Sequence, residues 1–519
     1  MKLNSQNLAA IDVGTNSFHL IVVGIKEDGN FEIIDREKEM IRLGEGSSGD
    51  IKYIQPDANK RAIETLKRFK GIADSHNAVV RAVATSAVRE SHNKNEFIAK
   101  VFDETKIEIE VISGYEEARL IYLGILKAVP IYNKKALVFD IGGGSTEFVL
   151  GYHGRSLHTV SVKIGAVRLA QKFFPDYEIT NQRVKDCRKW VEGEIFHASE
   201  VMKKEGFDIC AGSSGTIMSA GLMIQAMRKG STSTQTILNN FEFTKDELKR
   251  IEKEILTRKS VEKRKKIPGL DEKRADIIPA GIIILSTIFD LFELDKMTIS
   301  GYALREGIII DTLQKEHING STKPNLIDIR KESVKHLAES SRYDVEHCRH
   351  IAKFALKIFD DLKKLHQLGD ECREYLEAAA ILHDIGYHIS HTNHHYHSYY
   401  IIRNSELLGF NDNEISIIAN TARYHRKSHP KKSHDDFNEL PVRAQQIIKK
   451  LSAILRVADS FDRTHKRIIE NLELRIENQI VRIKLKVKKN GNPEIELWSL
   501  ERRKALFEEV FEKKIIINY

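Results

Sequence analysis

The chain has 519 residues, of which 41% are hydrophobic and 30% are charged, and its formal net charge at pH 7 is +8. This length is too great for one hydrophobic core and predicts about three or four domains, while the composition is ordinary for a soluble globular protein. No apolar run approaches the ~18 residues of a membrane span, and the polar start of the chain argues against a signal peptide. The four cysteines are far apart, which argues against a disulfide framework or a zinc–thiolate site. We therefore expect a cytoplasmic protein whose partners include neither a membrane nor a nucleic acid.

The first 312 residues are predicted to form two similar α/β lobes, residues 1–124 and 125–312. In the first lobe, three strands precede a helix that starts at Pro56, and strands and helices then alternate. The second lobe repeats this plan, beginning with three strands between residues 136 and 162. Thr244 and Glu247 form a predicted capping box at the start of a basic amphipathic helix.

Three turns rich in Gly and Ser each follow an apolar strand. In the segments 11–17 and 139–145, an Asp ends the strand, Gly stands two residues later and Ser five residues later; the third turn is Gly212–Thr216. Backbone N–H groups and hydroxyls in such turns suit phosphate oxygens, and the adjacent acid suits a metal ion. The repeated pattern therefore predicts a phosphate site between two related lobes. The candidate phosphate-binding residues are Asp12, Gly14, Thr15, Asn16, Ser17, Thr85, Gly142, Gly143, Gly144, Ser145, Gly212, Ser213, Ser214, Gly215 and Thr216.

Two further segments carry charged side chains that suit phosphate chemistry. Arg89 follows a predicted strand end and can bind a phosphate through two parallel hydrogen bonds. Glu116 and Glu117 lie in the first turn of a predicted helix. The alternative interpretation of that pair is structural, because the helix dipole favours acids at this position.

Positive charge is concentrated in two places. Eight Lys or Arg residues lie between Arg258 and Arg274, against three acids, and basic residues alternate with apolar ones from Val481 to Lys488. A polyanion is the natural partner for such surfaces. The alternative is that they are solvated faces, with lysines that protect an edge strand from aggregation.

The ordered segments together resemble a known family. Six segments, in this order, resemble motifs of the exopolyphosphatase/guanosine pentaphosphate phosphohydrolase family. They are Asp-x-Gly-Thr-Asn-Ser from Asp12, Thr-Ser-Ala-Val-Arg from Thr85, Ser-Gly-x-Glu-Glu-Ala-Arg from Ser113, Asp-Ile-Gly-Gly-Gly-Ser-Thr-Glu from Asp140, the turn at 212–216 and Gly-Tyr-Ala-Leu-Arg-Glu-Gly at 301–307. The resemblance covers residues 8–311. It implies two duplicated, ribonuclease H-like lobes of the actin/sugar-kinase/Hsp70 type with a cleft between them.

The resemblance also implies an activity and its residues. Glu117 would be the general base, kept ionised by its place near a helix N-terminus, and Asp140 and Glu147 would hold Mg²⁺ or Mn²⁺ with Asp12 nearby. The turns and Arg89 would hold the phosphoryl group that is transferred to water. The tract Lys263, Arg264, Lys265 and Lys266 would guide the rest of a polyphosphate chain. The alternatives are a guanosine pentaphosphate phosphohydrolase with the same residues, a kinase of the same superfold, and a polyphosphate- or nucleotide-binding regulator without turnover.

The C-terminal part is predicted to be a helical domain, 320–470, after a linker at His317–Pro324, and a small α+β module, 471–519, that runs strand, strand, strand, helix, strand from Leu472. Its pattern of histidines and aspartates resembles an HD-type metal-dependent phosphohydrolase domain. The implied transition-metal ligands are His347, His383, Asp384 and Asp459, with His397 and His425 at positions that bind a second metal in some such domains. The loop histidines His388, His391, His394 and His395 are expected to be solvated. The alternative is a domain without metal that forms a substrate channel and a dimer contact, and we expect a homodimer.

Overall fold

In a computed structural model of the protein, the described residues are 7–26, 30–45, 52–229, 238–316, 329–405, 407 and 409–518. They belong to two compact units, residues 1–329 and 330–519. The linker predicted at His317–Pro324 lies outside the described residues. Within the described part of the chain, no helix combines the length and apolar character needed to cross a membrane.

The first sheet has five strands in the order β3-β2-β1-β4-β5. Strands β1, β2 and β3 are antiparallel neighbours, while β4 is parallel to β1 and β5 is parallel to β4. The elements of this lobe are β1 (Asn7–Val13), β2 (Ser17–Ile25), β3 (Phe31–Met40), α1 (Pro56–Ser75), β4 (Ala78–Ala84), α2 (Ser86–Glu90), α3 (Lys94–Thr105), β5 (Ile109–Val111) and α4 (Gly114–Ala128).

The second sheet repeats that order and adds one strand at its edge. Its order is β8-β7-β6-β9-β11-β10, again with three antiparallel strands followed by two parallel ones. The elements are β6 (Ala136–Ile141), β7 (Thr146–Tyr152), β8 (Arg155–Val162), α5 (Ala166–Phe173), α6 (Asn181–Glu205), β9 (Ile209–Ser213), α7 (Gly215–Lys229), β10 (Glu242–Thr244), α8 (Lys245–Thr257), α9 (Val261–Lys265), α10 (Ile278–Leu291), β11 (Lys296–Ile299) and α11 (Leu304–Glu316). The repeated topology confirms the predicted duplication of α/β lobes.

The polar turns lie at the ends of strands whose apolar side chains are buried in the two cores. Apolar side chains of β1, β2 and β4 are buried with those of α1 in one core, and those of β6, β7 and α10 are buried in the other. Val13 at the end of β1 pairs with Ala84 at the end of β4, and Asp140 pairs with Ser213 at the end of β9. Each pair of parallel strands therefore ends at the same edge of its sheet, where crevices of α/β folds bind ligands.

The second unit is a set of helices followed by a three-stranded sheet with two helices. The elements are α12 (Ile329–Ser340), α13 (Val345–Asp361), α14 (Lys363–His366), α15 (Asp370–Leu382), α16 (His394–Arg403), α17 (Asp412–Arg423), α18 (Asp435–Asn438), α19 (Val442–Ser460), β12 (Ile469–Glu477), β13 (Ile480–Val487), α20 (Glu494–Arg503), α21 (Ala505–Phe511) and β14 (Lys514–Asn518). The sheet order is β12-β13-β14. The helical region and the α+β ending agree with prediction, but the strand order within the ending was wrong. Only two strands precede the helices, because the chain turns at Gly491 and Pro493 into α20.

Candidate functional site

One cavity of about 570 Å³ brings together the three Gly/Ser turns and the start of α4. The turns follow β1, β6 and β9. The predicted site residues that line the cavity are Asp12, Gly14, Thr15, Asn16, Ser17, Thr85, Glu117, Asp140, Gly142, Gly143, Gly144, Ser145, Ser213, Ser214 and Gly215. Residues from both lobes and more than 200 positions apart in the chain thus share one site.

The backbone N–H groups of the two duplicated turns point away from the elements that the carbonyl groups of these turns contact. The carbonyl oxygens of Gly142 and Gly143 accept hydrogen bonds of 3.0 and 2.9 Å from the first N–H groups of α5, and the carbonyl of Asn16 accepts two from the segment after β3. In a trans peptide the C=O and the following N–H point in opposite directions. The N–H groups of Gly143, Gly144 and Ser17 therefore point away from those elements, as anion binding requires.

Four acids lie around this cavity, Glu117 and Glu147 buried and Asp12 and Asp140 half-buried, and burial is the main cause of their altered pKa values. Burial, together with the nearby Glu117, raises the pKa of Asp12 to about 8 and that of Asp140 to about 7. The same two causes raise the pKa of Glu147 well above its usual range. Asp140 and Glu147 lie opposite each other on β6 and β7. Four acids in so small a space repel one another when ionised, and a cation would relieve that repulsion.

Arg89 holds the carboxyl group of Glu117 in place. Arg89 Nη1 donates hydrogen bonds to Glu117 Oε2 (3.0 Å) and to the carbonyl oxygen of Ile112 (2.9 Å). Burial raises the pKa of Glu117, and Arg89 opposes that rise. That the helix N-terminus keeps Glu117 ionised stays a prediction, and Arg89 is a charged group that also favours the carboxylate. Arg89 does not line the cavity itself.

Three other predicted site residues lie behind the cavity wall. Glu147 Oε1 accepts a hydrogen bond of 2.9 Å from Ser161. Gly212 and Thr216 lie at the base of the third turn and are buried. These positions can support the turn and the acids but do not line the space where a phosphate would sit.

The basic tract does not form one exposed surface. Arg264 is fully buried, and its guanidinium donates to the carbonyl oxygens of Ala275 (2.7 Å), Arg258 (3.0 Å) and Lys259 (3.1 Å). Its predicted role as a guide for polyphosphate is therefore wrong, because the side chain holds neighbouring loops together. Lys263, Lys265 and Lys266 reach solvent to different extents, and none lines the cavity.

The basic face of β13 is partly neutralised by acids of the neighbouring strand. Lys484 lies directly opposite Glu473, and Arg482 forms an ion pair of 3.0 Å with Glu477. Val481 and Ile483 are buried on the other face. This arrangement favours the interpretation of a solvated face over that of a polyanion site.

Five further basic side chains line the cavity and were missed as site residues: His19, Arg36, Lys38, Arg274 and Arg305. Burial, and then Arg305, Lys38 and Arg274, lower the pKa of His19 well below its usual value, so these cations surround it. The sequence could have pointed to two of them, because Arg305 lies in the motif at 301–307 and Arg274 ends the basic tract. Lys38 carried no such signal, since only the pairing of β2 with β3 brings it to the site.

In the second unit, the predicted metal ligands converge on Asp384. Groups that could hold a metal ion are His347 with His383 and Asp459, His347 with Asp384 and His465, and Asp384 with His394 and His425. His397 is absent from these groups and half-buried, so its predicted place is taken by His394, three residues earlier on α16. The expectation of a solvated histidine loop holds for His388 and His391 but is wrong for His394 and His395, which are buried because α16 packs against α17.

Comparison with known proteins places both units in one family. The model of the Ppx/GppA phosphatase family matches residues 21–316, and the model of Ppx/GppA phosphatase domain III matches residues 329–504. An exopolyphosphatase from Cytophaga hutchinsonii is 29% identical, with a TM-score of 0.54 over 60% of this chain and 98% of its own. The Aquifex aeolicus member of the Ppx/GppA family is also 29% identical, with a TM-score of 0.51 over 60% of this chain and 99% of its own. An exopolyphosphatase-like protein of 24% identity, with a TM-score of 0.53, supports the fold. The chain therefore belongs to the Ppx/GppA phosphatase family, whose members are phosphoanhydride hydrolases.

Proposed function

We propose that this protein is an exopolyphosphatase, which releases orthophosphate from the end of inorganic polyphosphate and repeats the step along the chain. The observation that carries the proposal is the cavity itself, in which Glu117 and the three phosphate-type turns line the same space. Phosphoryl transfer depends mainly on positioning and on neutralisation of charge. Both requirements are met by residues of this cavity.

The N–H groups of the turns, with the hydroxyls of Thr15 and Ser145, would hold the oxygens of the terminal phosphoryl group. Glu117 would take the proton from a water molecule that attacks in line with the departing chain. Lys38, Arg274 and Arg305 line the same cavity and would bind the phosphates behind the terminal one. This combination of acids and cations suits a chain of phosphates.

The acids of the cleft also fit a divalent cation. Asp12 Oδ1 and Glu147 Oε2 are buried and have no hydrogen-bond partner. Hard cations such as Mg²⁺ and Mn²⁺ prefer carboxylate and phosphate oxygens. Asp140 and Glu147 would hold the ion, with Asp12 beside them. When bound, the ion would neutralise charge on the phosphate oxygens.

The decisive test compares two adjacent glutamates. Glu117→Gln should lower kcat for phosphate release from polyphosphate by about 10²- to 10⁴-fold, the usual contribution of a general base, while polyphosphate binding stays nearly unchanged. Glu116→Gln is the matched control, because Glu116 pairs with Arg119 and does not line the cavity. Unchanged turnover in Glu117→Gln would refute the assignment. Any metal-dependent phosphate release by the wild type would exclude a regulator without turnover.

A second candidate substrate, guanosine pentaphosphate, is favoured by a neighbouring cavity. This cavity of about 600 Å³ shares Asn16 and Ile277 with the first and is also lined by Phe174 and Tyr177. Aromatic side chains can stack on a nucleobase. If it binds the nucleoside, Tyr177→Ser should lower kcat/KM for guanosine pentaphosphate and leave that for polyphosphate unchanged. A larger kcat/KM for the wild type with guanosine pentaphosphate would make it the main substrate.

A further inference from the structure

The side chain of Arg168, on α5 of the second lobe, reaches the first lobe beside the cavity. Its Nη2 atom lies 2.9 Å from Glu90 Oε1 at the end of α2, and Ser86 Oγ donates a hydrogen bond of 2.8 Å to the same oxygen. Only 5% of the Arg168 side chain and 15% of the Glu90 side chain are exposed. The ion pair therefore joins the two lobes where water has little access.

The same arginine holds the second phosphate turn. Arg168 Nε donates to the carbonyl oxygen of Gly144 (2.7 Å), and its backbone N–H donates to that of Gly143 (3.1 Å). Because the C=O of Gly144 and the N–H of Ser145 belong to one trans peptide, they point in opposite directions. The Ser145 N–H thus points away from the guanidinium, and Gly144 and Ser145 line the cavity. The direction of one candidate phosphate donor depends on Arg168.

The second turn lies directly against the first lobe at this place. A Cβ atom on Gly144 would lie 2.6 Å from Ser86 Oγ and 2.9 Å from Thr15 Oγ1. Ser86 and Thr15 belong to the first lobe and line the cavity with Gly144. A change in the bond between Arg168 and Glu90 would therefore be felt where the two lobes meet around the candidate phosphate site.

Stability alone does not account for this buried pair. Burial raises the pKa of Glu90, but Ser86, Arg168 and Lys163 outweigh burial and keep the pKa below its usual value, so Glu90 is ionised near pH 7. The desolvation of a buried ion pair offsets most of its attraction, and apolar residues of similar volume are often at least as stabilising. The bond from this pair to a turn of the cavity favours a role in positioning.

We propose that Arg168 and Glu90 are positioning residues of the phosphatase reaction and act through the backbone of the second phosphate turn. Glu90 fixes the guanidinium, and the guanidinium fixes the Gly144 carbonyl, so that the N–H groups of the turn keep their direction relative to Glu117 on the first lobe. Donors that are already in place need no reorganisation in the transition state. This inference rests on the proposed function, because it concerns the same cavity.

The test is a double-mutant cycle on the full-length chain, read as kcat and KM for phosphate release from polyphosphate. Arg168→Met should lower kcat by about 10- to 100-fold, the loss expected when reacting groups are misplaced by up to 1 Å, with KM changed by less than about threefold. Glu90→Met should lower kcat in the same way. The double variant should be no slower than Arg168→Met alone, because Glu90 acts through Arg168.

Lys163→Met is the matched control. Lys163 Nζ lies 3.0 Å from the other carboxylate oxygen of Glu90, but 71% of its side chain is exposed. Exposed ion pairs contribute about 0–1 kcal/mol, so this variant should keep the wild-type kcat. A loss of kcat as large as that of Glu90→Met would overturn the proposal, because the charge of Glu90 and not its hold on Arg168 would then matter.

Two further results would separate this inference from the proposed function. If the wild type releases phosphate while a folded Arg168→Met keeps its kcat, or if the losses in the double variant multiply, the positioning role is refuted and the proposed function stands. A wild type that releases no phosphate from polyphosphate refutes both. Circular dichroism shows whether each variant is folded, and unfolding of both single variants would assign the pair to stability and overturn the proposal.

Discussion

At the scale of single residues, Asp311 shows how one buried acid joins distant parts of the first unit. Its carboxylate accepts from Arg81 (2.7 Å) on β4 and Arg119 (2.5 Å) on α4, and Lys315 lies at 2.8 Å. Burial alone would raise the pKa of Asp311, but the hydrogen bonds from these three cations outweigh it and lower the pKa to about 2. Because the pKa is lower in the folded chain, ionisation of Asp311 stabilises the fold.

Asp311→Asn should therefore destabilise the protein in a pH-dependent way. Near pH 7 the loss should be on the order of 2 kcal/mol, as follows from a folded pKa of about 2 in place of the usual value near 4. The stabilising contribution is complete above the unfolded pKa near 4, and it disappears as the pH falls toward the folded value near 2. Urea unfolding midpoints of wild type and variant should thus differ at pH 7 and approach each other near pH 2.

The matched control for Asp311 is Glu110, a more exposed acid on the same arginine. Glu110 Oε2 lies 3.2 Å from Arg81 Nη2, with half of its side chain exposed. Exposed ion pairs contribute about 0–1 kcal/mol, so Glu110→Gln should change the urea midpoint little at any pH. An Asp311→Asn effect that is equal at pH 7 and pH 2 would contradict the linkage argument.

Individual site positions could be predicted where short-range spacing carries the chemistry. The spacing of Asp, Gly and Ser was sufficient to place both duplicated turns on one cavity. Burial of a charged side chain was not predictable, because it depends on how the chain folds around that side chain. Arg264 is the example, since the segments that carry Arg258 and Ala275, 6 and 11 residues away, turn their carbonyl oxygens toward its guanidinium. His394 was predicted to be solvated for the same reason, although it is buried where α16 packs against α17.

At the scale of elements, the second phosphate turn depends on its contact with the start of α5. A Cβ atom at Gly165, just before α5, would lie 2.3 Å from the carbonyl oxygen of Gly143 and 2.4 Å from its carbonyl carbon. These are backbone atoms, so the turn would have to move. The same turn uses its carbonyls to cap α5, as the hydrogen bonds from Ala166 and Val167 show.

Gly165→Ala should therefore lower kcat/KM for phosphate release by about 10²-fold, the effect expected of a misplacement near 1 Å. The reason is a shift of the N–H groups of Gly143 and Gly144 relative to Glu117. Initial-rate measurements with polyphosphate check the effect. Gly193→Ala is the control, because a Cβ there meets no atom within 4 Å. It should leave the rate unchanged and raise stability by up to ~1 kcal/mol, since Ala favours a helix interior. Full activity in Gly165→Ala would show that the turn tolerates displacement.

Helices and strands with a regular hydrophobic period or a capping motif could be predicted from the sequence. Elements that are buried on several sides could not. The capping box was confirmed, with Glu247 N donating to Thr244 Oγ1 (3.4 Å) and Thr244 N donating to Glu247 Oε2 (2.9 Å). Helix α7 was missed, because most of its residues are buried and its apolar side chains form no single stripe. The prediction of a third strand before the helix of the C-terminal module was wrong, because turn-forming residues there outweigh the strand pattern.

At the scale of the whole molecule, the duplication could be predicted from the sequence because both copies have the same turn and the same order of strands. The set of cationic side chains that the two lobes contribute to one cavity could not be predicted. Lys38 comes from the first lobe, while Arg274 and Arg305 come from the second. Their convergence is a product of the complete first unit.

The first unit should hydrolyse polyphosphate by itself. Every residue that lines the cavity lies between Asp12 and Arg305, within the compact unit 1–329. The Cytophaga hutchinsonii exopolyphosphatase matches 60% of this chain over 98% of its own length, so that protein has almost nothing beyond the shared part. A fragment of residues 1–329 should therefore keep kcat on a short polyphosphate within about tenfold of the full chain, since each tenfold loss would require about 1.4 kcal/mol of transition-state stabilisation from outside the cavity. Glu117→Gln in the fragment should abolish that rate. A folded fragment without activity, as judged by circular dichroism and phosphate release, would show that residues 330–519 contribute directly to the reaction.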